Sequence, residues 1–139
     1  MATLFALSKQ EQAATGWTHQ LHVSVADGDL DAASEVLDVM ALEDKDIVEN
    51  VTVHVITAWS GGTTEDMDIG ITTTGAASTS LLSGATITND DTKLGTARDA
   101  ASGSSEFLTI NRGGTGTSTA GEAYIYFRLI RPTDHANSV

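Results

Sequence analysis

The stretch Ile47 to Trp59, IVENVTVHVITAW, leaves this chain few options. It alternates with a period of two. Ile47, Val51, Val53, Val55 and Trp59 fall on one parity, and Asn50, Thr52, His54, Ile56 and Ala58 on the other. Successive side chains of a strand point to opposite faces, so the run splits into an apolar face and a mixed one. Val, Ile, Thr and Trp also suit a pleated surface. Thirteen extended residues span roughly 43 Å at about 3.3 Å each, which is long for one strand and predicts a bend or bulge. Ser60-Gly61-Gly62 ends the run, and Met67 to Thr73 then alternates again with Met67, Ile69 and Ile71 on one face. The pair reads as a hairpin with a long connection.

Shorter runs of the same kind flank it. Thr18 to Ala26 places Leu21, Val23 and Val25 on one face with His19. Ser34 to Met40, Ala85 to Thr88 and Glu106 to Asn111 read as strands. Glu122 to Arg131 closes the chain with Ala123, Ile125, Phe127 and Leu129 toward the core, and Pro132 stops it. Leu81 and Leu82 are expected to tuck under a sheet edge. Arg112 to Gly121, RGGTGTSTAG, reads as a flexible tip. Ser8-Lys9-Gln10-Glu11 matches a capping box that can start a short helix through Ala14. Six to eight strands spaced by turn signals predict an all-β protein, a single antiparallel β-sandwich of jelly-roll or Greek-key type. Its expected parts are an N-terminal arm over residues 1–16, the sandwich over 17–132 and a polar tail over 133–139. The arm is expected to be partly ordered or to pack on a neighbouring subunit.

At 139 residues the chain fits one domain that needs no metal or disulfide to fold. With 19 acidic and 7 basic residues it carries a formal charge of −12, which repels phosphate and makes nucleic acid and anionic membranes poor partners. There is no cysteine, hence no thiol chemistry. MATLFALSKQ has neither the basic nor the long apolar region of a secretory signal, and no stretch is long enough to span a bilayer.

The inventory of chemistry is thin, and no catalytic residue, cofactor or metal is predicted. Asp27, Asp29, Asp31 and Asp38 stand at positions one, three, five and twelve of a calcium-loop spacing, but Ala32 occupies the position that wants Gly, and the flanks read as strands. A solvated turn is the expectation. His19 and His22 lie on opposite parities and His135 in the tail, so with His54 they make no metal set. Ser102-Gly103-Ser104-Ser105 is no nucleophile elbow, and Gly113-Gly114-Thr115-Gly116 is followed by no lysine of a phosphate loop. Two groups stand out as a candidate subunit or partner interface: the apolar arm residues Leu4, Phe5 and Leu7, and Tyr124, Tyr126 and Arg128 on the outward parity of the last strand. Aromatic residues and arginine are enriched at interface hot spots.

The segment Glu35 to Thr73 resembles the small head-decoration (cement) proteins of tailed-phage virions. Val36-Leu37-Asp38-Val39 leads through Leu42 to Asp46 into a strand of the form V-x-V-x-V-x-T-A-[FW], here Val51 to Trp59. Gly61 to Thr64 and then Asp68-Ile69-Gly70-Ile71, a D-x-G-I stretch, follow; Thr119-Ala120-Gly121-Glu122 opens an alternating final strand through Leu129. The resemblance covers about two-thirds of the chain. It departs where such proteins place a Pro-Ala-Gly-like turn and this chain has Glu43-Asp44-Lys45. It implies a non-enzymatic virion protein, made in the host cytoplasm. Such a protein binds the outside of an assembled capsid, with the major capsid protein and itself (as a homotrimer) for partners. The alternative is another virion or cell-surface binding module, such as a tail, fibre or carbohydrate-binding β-sandwich, with Trp17 and Trp59 as stacking residues.

Overall fold

A computed structural model describes residues 2–103 and 105–132. The chain runs β1 (Thr3–Ala6), α1 (Lys9–Thr15), β2 (His19–Ser24), a 3₁₀ turn (Val25–Asp27), β3 (Val36–Ala41), β4 (Ile47–Ser60), β5 (Asp66–Thr73), β6 (Leu82–Thr86), β7 (Thr92–Leu94), β8 (Arg98–Ala100), β9 (Glu106–Arg112) and β10 (Ala120–Ile130). It is all-β in class, with two antiparallel sheets. The larger follows the order β1-β2-β10-β4-β7, with β8 also paired to β4; the smaller follows β3-β9-β5-β6. The strands number ten among the described residues, above the expected six to eight, because β7 and β8 are three-residue pieces laid along one edge of β4.

The two sheets share one core. Leu21, Val23, Val53, Val55, Ile125 and Phe127 come from the larger sheet, and Met67, Ile69, Leu108 and Ile110 from the smaller. The long central strand does carry the expected irregularities. Asn50 adopts φ +57°, a left-handed conformation that Asn tolerates better than most residues. There the register against β10 slips, with Tyr126 opposite Thr52 but Arg128 opposite Glu49. The slip exchanges the faces: Val51, Val53 and Val55 join the core beyond it, whereas Val48 does so before it and Ile47 is only half-buried. Two further slips lie between Val55 and Thr57 and between Thr57 and Ser60.

The expected hairpin of β4 with β5 does not form. The two strands belong to different sheets. Each has one strongly apolar face, and both faces are buried when the strands oppose each other across the core, whereas side-by-side pairing covers neither. Gly61 and Gly62 allow the crossing: a Cβ on Gly61 would lie 2.8 Å from the Thr119 nitrogen, and one on Gly62 2.6 Å from the Thr115 carbonyl.

The Arg112 to Gly121 segment is likewise no free tip. Arg112 is fully buried at the end of β9, and the loop wraps it. Its Nη1 donates to the Gly116 carbonyl at 2.9 Å and its Nη2 lies 3.4 Å from Glu65 Oε1. Glu65 also accepts from the Gly62 N–H (2.9 Å) and Ser118 Oγ (2.7 Å). The buried cation draws the β4–β5 and β9–β10 loops together, because neither charge can be left alone at low dielectric.

The Ser8 capping box is present, with Ser8 Oγ accepting from the Glu11 N–H and Glu11 accepting from the Ser8 N–H, and α1 extends through Thr15. Leu81 and Leu82 are buried as expected. The expected strand at Ala85 to Thr88 lies slightly earlier, as β6.

Candidate functional site

Register places the candidate residues on one surface. The outward parities of β1, β2, β10, β4 and β7 align into rows that cross the whole larger sheet. One row reads Thr3, His22, Tyr124, His54, Thr92. The next reads Phe5, Gln20, Tyr126, Thr52, Leu94. Arg128, Glu49 and Arg98 follow beyond the Asn50 bulge. The alternating positions of the same strands, Leu21, Ile125 and Val53, point into the core.

This face gathers the exposed large apolar side chains and both tyrosines. The exposed large apolar side chains among the described residues are Phe5 (52%), Ile56 (40%) and Leu94 (68%). Phe5 and Leu94 end one row at opposite edges of the sheet, and Ile56 lies on the outward parity of β4. Trp17 stacks on Tyr126 with ring centroids 4.6 Å apart, and His22 lies against Tyr124 at 4.9 Å. Its charges are balanced. Glu49 pairs with both Arg98 (2.5 Å) and Arg128 (3.3 Å), and Glu122 pairs with His22 (2.8 Å). The −12 of the chain therefore sits elsewhere.

Of the six residues singled out in sequence, Phe5, Tyr124, Tyr126 and Arg128 share this face. Leu4 turns inward and packs on the core, and Leu7 is half-buried where its N–H donates to the Thr18 carbonyl. In sequence His54 already falls on the mixed parity of β4, but Leu94 joins the face only through register and Trp17 only by stacking on Tyr126. Trp59, by contrast, is 1% exposed and its Nε1 donates to the Leu30 carbonyl, so it cannot stack on a sugar.

The other sequence candidates disperse. Among the described residues, no group of three or more His, Cys, Asp or Glu side chains could hold a metal. Asp29 is buried and accepts from the Ser24 N–H, and Asp38 accepts from Thr74 Oγ1 and the Gly75 N–H across the smaller sheet. His19 faces inward and stacks on Phe127 at 5.0 Å; burial first, and then the Arg131 charge, holds its imidazole below its ordinary pKa. His135 and Ser104 lie outside the described residues. No helix of the described residues is long and apolar enough to cross a membrane.

Arg131 forks onto Asp46, with Nε 3.0 Å from Oδ1 and Nη2 2.8 Å from Oδ2, and ties the end of β10 to the β3–β4 turn. Burial opposes ionisation of Asp46, but the Arg131 hydrogen bonds, the Glu43 N–H and the arginine charge outweigh it and lower the pKa. A lowered folded-state pKa contributes stability that is present above the unfolded value, near 4, and is lost as pH falls through the folded one. Asp46→Asn is therefore expected to flatten the fall in melting temperature between pH 5 and pH 2, read by circular dichroism. An undiminished slope rules this pair out as its source.

No protein-family model matches the chain, and no curated protein matches it. A similar fold is found in a chain of the acidic stable capsid structure of the Helicobacter pylori bacteriophage KHP30. The TM-score is 0.53 and the identity 9%, and the match covers 94% of each chain.

Proposed function

We propose that the chain is a structural virion protein that binds the outside of an assembled phage capsid and stabilises it. The observation that carries this reading is the fold shared, over 94% of both chains, with a chain of a phage capsid structure. The decoration-protein resemblance of Val51 to Trp59 and Thr119 to Glu122 points the same way. In this reading residues 17–132 form a jelly-roll-type sandwich, residues 1–16 an arm along its edge, and the major capsid protein is the partner. The balanced aromatic face of the larger sheet is the contact surface, and the acidic remainder faces away from packaged nucleic acid. Stabilisation follows from mass action: a protein that binds only the assembled lattice shifts the equilibrium toward it, and many identical weak contacts add up. The resemblance also implies a homotrimer.

The test uses purified particles from the same source, stripped of the protein. Added protein is expected to bind them saturably and to raise the temperature at which they release nucleic acid. Failure to bind intact particles overturns the reading.

A further inference from the structure

The two rows on the larger sheet read the same in both directions. Thr3, His22, Tyr124, His54, Thr92 is a palindrome of residue types, and Phe5, Gln20, Tyr126, Thr52, Leu94 is a palindrome of chemistry: apolar, polar, tyrosine, polar, apolar. The tyrosines at both centres lie on β10, the middle strand of the five. We propose that two copies of the chain pair face to face through this surface, about a two-fold axis running along β10.

A two-fold axis along the middle strand preserves each row and reverses its order. Phe5 of one copy then meets Leu94 of the other, Gln20 meets Thr52, His22 meets His54, and each tyrosine meets its own equivalent. An isologous contact requires a patch that is its own complement, and the rows provide one; Trp17, stacked on Tyr126, is the one large member of the face outside them and must lie beside the central tyrosine pair. Phe5 and Leu94, the two most exposed large apolar side chains among the described residues, cover one another. Twisted sheets pack face to face at about 30°, which a two-fold axis bisecting the pair of β10 strands accommodates. The charges permit the approach: Arg128, near the axis, carries Glu49 with it, so the surfaces meet neutral while the −12 of each copy stays on the other sides. Five strands and the seven residues from Glu122 to Arg128 bound the footprint at roughly 24 Å by 20 Å, less at the short edge strands β1 and β7, which is at the low end for a specific contact. The pairing covers the same face that is proposed to meet the capsid, so the paired form is the free protein and must open to bind a particle.

Because the chain has no cysteine, single introduced cysteines report the geometry cleanly. Facing sheets lie about 10 Å apart, beyond direct disulfide reach, so a short bismaleimide is the linker; with it Tyr126→Cys is expected to cross-link alone, roughly tenfold faster than Ser83→Cys on the opposite sheet, because the axis raises its effective concentration. Phe5→Cys and Leu94→Cys are expected to cross-link when mixed but not singly. Sedimentation of the unmodified chain is expected to move from the mass of one copy, 14.5 kDa, toward twice that with concentration. Mixed Phe5→Cys and Leu94→Cys linkage without Tyr126→Cys linkage indicates a head-to-tail ring and overturns the two-fold, as does a mass that stays at one copy or rises to three. A dimer linked through Tyr126→Cys is expected not to bind capsids, because its contact face is covered, whereas failure of the unlinked chain to bind capsids leaves the pairing standing. Matching melting curves for the variants exclude misfolding as a cause of lost linkage.

Discussion

Replacing Arg112 with methionine is expected to lower the free energy of unfolding by about 3–5 kcal/mol, the cost of leaving a buried charge without its partner. Arg112 is 0% and Glu65 2% exposed, so water cannot take over for the missing group. Glu65 keeps the Gly62 N–H and Ser118 Oγ, which are neutral donors and do not cancel its charge. The pair itself is not strongly made. Its closest approach is 3.4 Å, and Arg112 Nε is buried with no hydrogen-bond partner. Replacing both charges with apolar groups is therefore expected to recover much of the loss, so that Arg112→Met with Glu65→Leu is more stable than Arg112→Met alone. Urea denaturation of the two single variants, the double variant and the parent measures the coupling. Additive losses would mean that Glu65 is solvated or protonated once the arginine is gone, and that this end of the molecule is not held by charge.

The same end shows how far parity alone carries. Leu108 and Ile110 predict an inward face for β9, and one further step of two reaches Arg112; Met67, Ile69 and Ile71 do the same for β5, and one step back reaches Glu65. Met67 stands opposite Arg112 in the register. The buried pair was thus legible from spacing, but the glycines and threonines that follow Arg112 also read as an unpacked turn. Only the close approaches at Gly62 and Gly114 show that these glycines make room for a packed loop. The larger sheet was readable strand by strand, since alternation names the two faces of each. The order of the strands and their register were not. Register depends on the slips at Asn50 and beyond Val55, which alternation cannot place to the residue. Without it Tyr124 and Tyr126 could be assigned outward, but Leu94, His54 and Phe5 could not be assigned to rows with them. Pairing of β4 with β5 failed for a related reason: sequence adjacency favours a hairpin, but two strongly apolar faces are both buried only by putting the strands on opposite sides of the core.

Gly121→Ala is expected to cost about 3 kcal/mol, the upper part of the usual range for overpacking a core. A Cβ at this position would stand 2.5 Å from Cε2 and 2.7 Å from Cγ of Trp59. The indole has nowhere to go. It is 1% exposed, and its Nε1 donates at 3.2 Å to the carbonyl of Leu30, itself fully buried. Moving the ring breaks that bond and displaces the core; keeping it in place forces β10 away from β4, where Ala120 pairs with Ser60. Gly75→Ala is the control. Its φ of +70° strains an alanine, but nothing lies within 4 Å of the new Cβ, and the cost is about 1–2 kcal/mol from the backbone alone. The two effects separate in a second background. Trp59→Leu removes the indole, so adding Gly121→Ala there is expected to cost well under half of what it costs with tryptophan present, while Gly75→Ala costs the same in both. Equal losses for Gly121→Ala with and without the indole would show that β10 yields instead. β10, which begins at Ala120, would then be soft at its start, and the sheet face it centres would not be held rigid at that end.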